Sequence, residues 1–161
     1  MLNKELHEGI NDQINKEMAS AYLYLSMAAY LEGNNLSGSA HWMRKQAEEE
    51  MEHAMKMFDY MFDRGNQVTL LAIDAPPAEF SSPLDVFEQV LAHERKVTGL
   101  IHSLYALSIE HKDYAAQTFL QWFVNEQVEE ERNADGIVQK LRMVGDKGHA
   151  LLMIDRELGA R

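Results

Sequence analysis

Cysteine is absent from this chain. That one absence removes disulfides, thiolate metal sites, thiol catalysis and cysteine-held iron–sulfur clusters together. Proline is scarce, with three in 161 residues and two of them adjacent at Pro76 and Pro77, so little interrupts long helical segments. No stretch approaches the roughly 20 apolar residues of a membrane span, and Met1 to Glu8 has no apolar core of the kind a secretory signal carries. The expectation is a soluble, cytoplasmic protein with no membrane partner. Positive charge is also in deficit: 15 Lys and Arg stand against 26 Asp and Glu, a formal charge of −11. Such a balance argues against nucleic acid as a partner and suits a protein that handles cations. No convincing alternation of the strand period occurs, so the fold class is all-α, in one domain long enough for a substantial core.

What is present is a set of long segments with apolar residues at alternating three- and four-residue steps, which keeps side chains on one helix face. The first reads Ile10, Ile14, Glu17, Ala21, Tyr24, Ala28, Leu31; the second Met43, Gln46, Glu50, His53, Met57, Tyr60. The third reads Phe87, Val90, Glu94, Val97, Ile101, Leu104; the fourth Leu120, Phe123, Gln127, Glu130, Ala134, Ile137, Leu141. Breakers at Gly33-Asn34-Asn35, Gly65-Asn66 and Gly145, with Ser82-Pro83 as cap and first helical residue, set helices at about 3–32, 38–64, 83–111 and 113–144, with a short fifth at about 150–158. Short connections make the first and second helices, and the third and fourth, antiparallel hairpins. The crossover at about 65–82 could extend to about 60 Å, enough to return along the bundle and set the second and third helices parallel.

Each seam contains one carboxylate where an apolar residue belongs: Glu17, Glu50, Glu94 and Glu130. Glu17 lies 17 residues before Asn34 and Glu50 lies 16 after; Glu94 and Glu130 each lie 18 from Lys112. Antiparallel neighbours therefore bring all four to mid-bundle. Isolated buried anions cost several kcal/mol each, roughly, and four together repel one another. A bound cation relieves both problems. His53, three residues after Glu50, adds one nitrogen ligand. Carboxylates with imidazole suit divalent iron or manganese, and four carboxylates can bridge two such ions about 3.5–4 Å apart. Gln127, one turn before Glu130, can ligate weakly or hold water. Tyr24 is placed to hydrogen-bond a ligand or supply an electron, or else is a buried aromatic with a satisfied hydroxyl. The other histidines read as surface or interface residues.

The run Ala21-Tyr22-Leu23-Tyr24-Leu25, the run Glu49-Glu50-Met51-Glu52-His53-Ala54, Glu94, and the stretch Gln121 to Glu131 together resemble a prokaryotic non-haem ferritin over essentially the whole chain. One Glu-x-x-His motif, with Asn133 where a second histidine would fall, is the ferritin pattern. The resemblance implies a ferritin-like bundle and a homo-oligomeric 24-subunit shell. It also implies ferroxidase oxidation of Fe²⁺ by O₂ or H₂O₂, with ferric mineral stored inside. By that likeness Glu17, Glu50, His53 and Glu130 hold a first iron and bridge; Glu50, Glu94 and Glu130 hold a second, with Gln127 alongside. Glu49, Glu126 and Glu129 match a third iron position, although acidic runs of this kind are usually solvated helix faces. The short last helix would line a fourfold contact.

Three rivals remain. A bacterioferritin would use Met51 to bind haem at a twofold interface, but Met43, Met51, Met55, Met57 and Met61 crowd this helix as adaptable packing residues. A small di-iron or di-manganese oxidase or peroxidase would lack a large internal mineral. A metal-free interaction module would leave the four carboxylates unexplained.

Overall fold

The helical punctuation in the sequence acts where side-chain chemistry can satisfy helix ends. In the computed structural model, which describes residues 1–145 and 148–161, five helices occur: α1 (Lys4–Gly33), α2 (Ser37–Asp63), α3 (Pro83–Glu110), α4 (Tyr114–Val144) and α5 (Gly148–Leu158). Asn3 caps α1 by accepting from Leu6 N at 2.8 Å. Ser82 caps α3 by accepting from Asp85 N, while Asp85 accepts from Ser81 N, a reciprocal arrangement with Pro83 in the first turn. Asn35 (φ 59°) and Lys112 (φ 53°) take the left-handed conformation that turns each hairpin tightly. The loop at Lys112 is also fixed by its neighbour: Asp113 caps α4 through Ala116 N and takes a two-pronged contact from Arg64 at 2.7 and 3.1 Å, pinning the end of α2 to the start of α4.

α2 departs from this pattern. Its capping position is Leu36, which has no side-chain acceptor to offer. The acceptor comes instead from α5: Asp155 takes hydrogen bonds from Gly38 N (3.1 Å), Ser39 N (2.7 Å) and Ser39 Oγ (2.7 Å). A carboxylate at a helix N-terminus is favoured by both the free N–H groups and the helix dipole. Approach this close requires glycine at 38, because a Cβ there would lie 1.8 Å from the Asp155 carbonyl oxygen. α5 thus packs on its own chain, with Ile154 and Leu158 buried.

The crossover has no regular secondary structure but follows α1 in register. His7 bonds Gln67 O; Asn11 both accepts from Thr69 N and donates to Thr69 O; Asn15 does the same for Leu71 N and Thr69 O; Ser26 donates to Pro77 O. The segment therefore runs parallel to α1 and delivers the chain to the opposite end, so that α2 and α3 are parallel. The outcome is the four-helix bundle of two hairpins, plus a short C-terminal helix, that the seams imply.

The apolar core is divided. One cluster holds Leu6, Ile10, Ile14, Met57, Met61, Ile101, Leu120 and Phe123; the other holds Met27, Leu31, Met43, Phe87, Val90, Val138 and Leu158. Between them lies a polar layer.

Candidate metal centre

That layer is made by the four seam carboxylates. Glu17, Glu50, Glu94 and Glu130 are 1, 2, 1 and 3 % exposed, values at which an unpaired charge is expensive. Helix periodicity puts one on each of α1 to α4, and His53 follows Glu50 one turn along α2 with Nδ1 3.7 Å from Glu50 Oε2. Glu17, Glu50 and His53 offer one ligand atom each, all within 4.8 Å of one another, and His53, Glu126 and Glu130 do the same.

Neutral donors hold the carboxylates in place. Gln13 Nε2 donates to Glu17 Oε1 at 2.8 Å. Gln46 Nε2 donates to Glu130 Oε2 at 2.7 Å and, more weakly, to Glu50 Oε1 at 3.4 Å. Gln127 Nε2 donates to Glu94 Oε2 at 3.1 Å, and the Tyr24 hydroxyl donates to Glu94 Oε1. Among the described residues, Glu17 Oε2 is the one buried side-chain oxygen or nitrogen without a partner. Glu17 shares a compact ligand group with Glu50 and His53, where a cation would complete it.

The electrostatics follow from burial. Desolvation first, and then the charge of Glu50, push the Glu17 carboxyl well above its ordinary range. Glu50 rises well above its range through burial and the neighbouring Glu94. Glu94 rises through burial, opposed by the hydrogen bonds from Tyr24 and Gln127. Glu130 is pushed up to about 7 by burial and by Glu94, opposed by Gln46. Tyr24 is raised well above its ordinary value by burial and by Glu94, so it stays protonated and acts as a donor. This donor set of carboxylate oxygens with one imidazole suits hard or borderline divalent ions.

The residues of the expected third position are more dispersed. Glu49 and Glu126 line an open cavity of about 310 Å³ with Glu52, His53, Lys56 and Trp122. Glu49 is ion-paired to Arg161. Glu129 is exposed and lies 3.6 Å from Arg132. Only Glu126 of the three joins a compact ligand group.

Two of the neutral donors, Gln13 outside the seam of α1 and Gln46 within that of α2, are not evident as ligand-holding residues from seam pattern alone. The signal was available: both lie four residues before a seam glutamate, the spacing that puts them one turn away on the same face. His93, expected at a surface or interface, is half-buried, 2.7 Å from Ser20 Oγ and edge-on to Tyr24.

A four-helix bundle with a carboxylate and imidazole layer at mid-height defines a protein of the ferritin-like class. Comparison with known proteins agrees. The family model of the ferritin-like domain matches residues 7–144. A bacterial non-heme ferritin of Bacteroides fragilis is 47% identical over 161 residues, covering 100% of both chains. That of Staphylococcus saprophyticus is 43% identical over 100% of this chain and 96% of its own. Among solved structures, an open pore ferritin from the hyperthermophilic archaeon Archaeoglobus fulgidus superposes with a TM-score of 0.99 at 50% identity, over 100% of this chain and 99% of that one. The chain belongs to the ferritin family, and the two relatives above, matched over the full length of this chain, are bacterial non-heme ferritins.

Proposed function

We propose that this protein is an iron-storage ferritin. It oxidises Fe²⁺ with O₂ or H₂O₂ at the mid-bundle centre and keeps the ferric product as an oxide-hydroxide mineral inside a cytoplasmic 24-subunit shell. The observation that carries the reading is a buried Glu17 with one unpartnered oxygen, grouped with Glu50 and His53 as a compact ligand set. Membership of the ferritin family supports iron as the cation.

Glu17, Glu50, His53 and Glu130 would take the first Fe²⁺, and Glu50, Glu94 and Glu130 the second, with Gln127 alongside. Two Fe²⁺ ions lose one electron each, and one O₂ takes both electrons and two protons to give H₂O₂. Carboxyls that hold protons in the iron-free chain release them when the cations enter, so binding is proton-linked. Tyr24 keeps its own proton and fixes Glu94 for the second iron. Glu126 and Glu49, with Glu129 further out, offer a third position.

The test is anaerobic loading of the iron-free protein with Fe²⁺ followed by O₂, with absorbance and particle size followed together. Rapid oxidation that goes on accumulating ferric iron in a particle of several hundred kilodaltons is the expected result. Oxidation that stops at about two irons per chain in a small oligomer would make it a di-iron or di-manganese oxidase instead. A Soret band on the purified protein would make it a bacterioferritin.

A further inference from the structure

One side chain outside the metal layer reaches both the layer and the third-position cavity. The Arg161 guanidinium donates from Nη1 to Gln46 Oε1 at 2.9 Å and from Nη2 to Glu49, and it stacks 4.6 Å over the Trp42 ring. Its own carbonyl is 3.0 Å from His41 Nε2. Backbone and side chain are thus both held against α2. Gln46, fully buried, is the carboxamide whose other end holds Glu130 and Glu50.

We propose that Arg161 is a positioning residue that limits how readily the centre takes a third divalent cation; this rests on the metal-centre reading above. Two consequences of guanidinium chemistry meet here. Arginine only donates, so the Gln46 atom facing it must be the oxygen, and the NH₂ end must face the carboxylates. With two cations bound, the carboxylates no longer enforce that orientation, and Arg161 alone keeps the amide oxygen out of the metal layer. The same guanidinium holds Glu49, a carboxylate of the cavity mouth, which a third cation must win from it.

Anaerobic Fe²⁺ titration calorimetry on the full-length assembled protein tests this, with the absorption of bound Co²⁺ as a spectroscopic readout. In Arg161→Ala, the third binding step should tighten by up to about fivefold, the upper limit set by losing one partly exposed competing ion pair. The first two steps should stay within experimental error. The Co²⁺ spectrum of the variant should change only beyond two equivalents, as Gln46 or Glu49 oxygen enters. Arg161→Lys, which keeps the charge but loses the two-pronged contact, should fall between native and Arg161→Ala. Lys56→Ala removes a cation that borders the same cavity, where it stacks over Trp122, but that makes no hydrogen bond or ion pair with Gln46 or Glu49, and so measures the loss of a nearby charge without those bonds. An equal tightening in Lys56→Ala, or an unchanged third step and Co²⁺ spectrum in Arg161→Ala, overturns the proposal. Absence of the first two steps in the native protein would instead remove the metal-centre reading itself.

Discussion

Replacing Glu130 by glutamine tests whether the centre strains the iron-free bundle. Folding carries the Glu130 carboxyl from an ordinary 4.5 up to about 7, which corresponds to about 3 kcal/mol of preference for the protonated form. A carboxyl whose pKa rises on folding binds its proton more tightly folded than unfolded. The stability it contributes is therefore complete below about pH 4.5 and is lost as pH rises through about 7. Above that pH the iron-free protein carries the burial cost of a charge it cannot neutralise. Glutamine removes the charge yet keeps an oxygen to accept from Gln46 at 2.7 Å. Metal-free Glu130→Gln should thus be more stable than native at pH 8 by about 2–3 kcal/mol, or about 4–12 °C in thermal midpoint for a chain of this size. At pH 5 the two should nearly coincide. Anaerobic Fe²⁺ should reverse the order at pH 7.5: a ligand at about 1,000 times its Kd stabilises the native fold by about 4.1 kcal/mol, more than the metal-free deficit, and the variant should lose most of this. The assay is thermal unfolding of both proteins across pH 5–8, with and without Fe²⁺. A metal-free variant less stable than native at pH 8, or an equal pH slope in both proteins, would refute the reasoning.

Substitutions at three further positions probe the Tyr24–Glu94 contact and the seat of α5 on α2. Tyr24→Phe strips Glu94 of its hydroxyl donor inside the core and should cost about 1–3 kcal/mol at pH 8; thermal unfolding should show the loss shrinking at pH 5, and a pH-independent loss would reduce Tyr24 to packing. Asp155→Ala removes three hydrogen bonds from the first turn of α2 and should cost about 1–3 kcal/mol, with faster amide exchange at Gly38 and Ser39. Asp155→Asn should recover part of this, since the amide oxygen can still accept. Gly38→Ala would ordinarily stabilise a helix by up to about 1 kcal/mol, but its methyl must displace α5 from a 1.8 Å approach; a lowered midpoint with altered Trp42 fluorescence is expected, and a raised midpoint would show that α5 does not seat there in solution.

Much of the bundle was legible because its information is local. Ser82-Pro83, Gly33-Asn34-Asn35 and Gly65 act within a turn of where they stand, and one carboxylate per seam at matched distances from each turn implied the polar layer before any coordinates. What stayed hidden depends on residues far apart in sequence. Local propensity favours Ser37 or Ser39 as the cap of α2, yet the acceptor is Asp155, 116 residues from Ser39. The path of the crossover is set by Asn11 and Asn15, which read as ordinary polar positions on a helix face. Arg161 reaches Gln46 across 115 residues; no periodicity links them. Gln13 falls in another class, since its spacing to Glu17 was visible and its role needed only the question of who donates to a buried carboxylate.

The division of the apolar core explains how a chain can keep four carboxyls at its centre without coming apart. Each half is closed at its own end. Arg64 with Asp113, and His111 with Glu5, clamp the half built from the start of α1 and the end of α2. Asp155, Ile154 and Leu158 clamp the half built from the end of α1 and the start of α2. Repulsion in the layer between them would have to separate two well-packed clusters to be relieved, so it is relieved chemically instead, by retained protons and by glutamine donors. On the metal-centre reading, a divalent cation would take the place of those retained protons. The same clamps that let the metal-free chain tolerate its carboxyls also keep the ligand atoms of Glu17, Glu50 and His53 within 4.8 Å of one another, and likewise those of His53, Glu126 and Glu130. Loosening either clamp should then weaken cation affinity as well as stability, because ligands that can move apart no longer favour the ion.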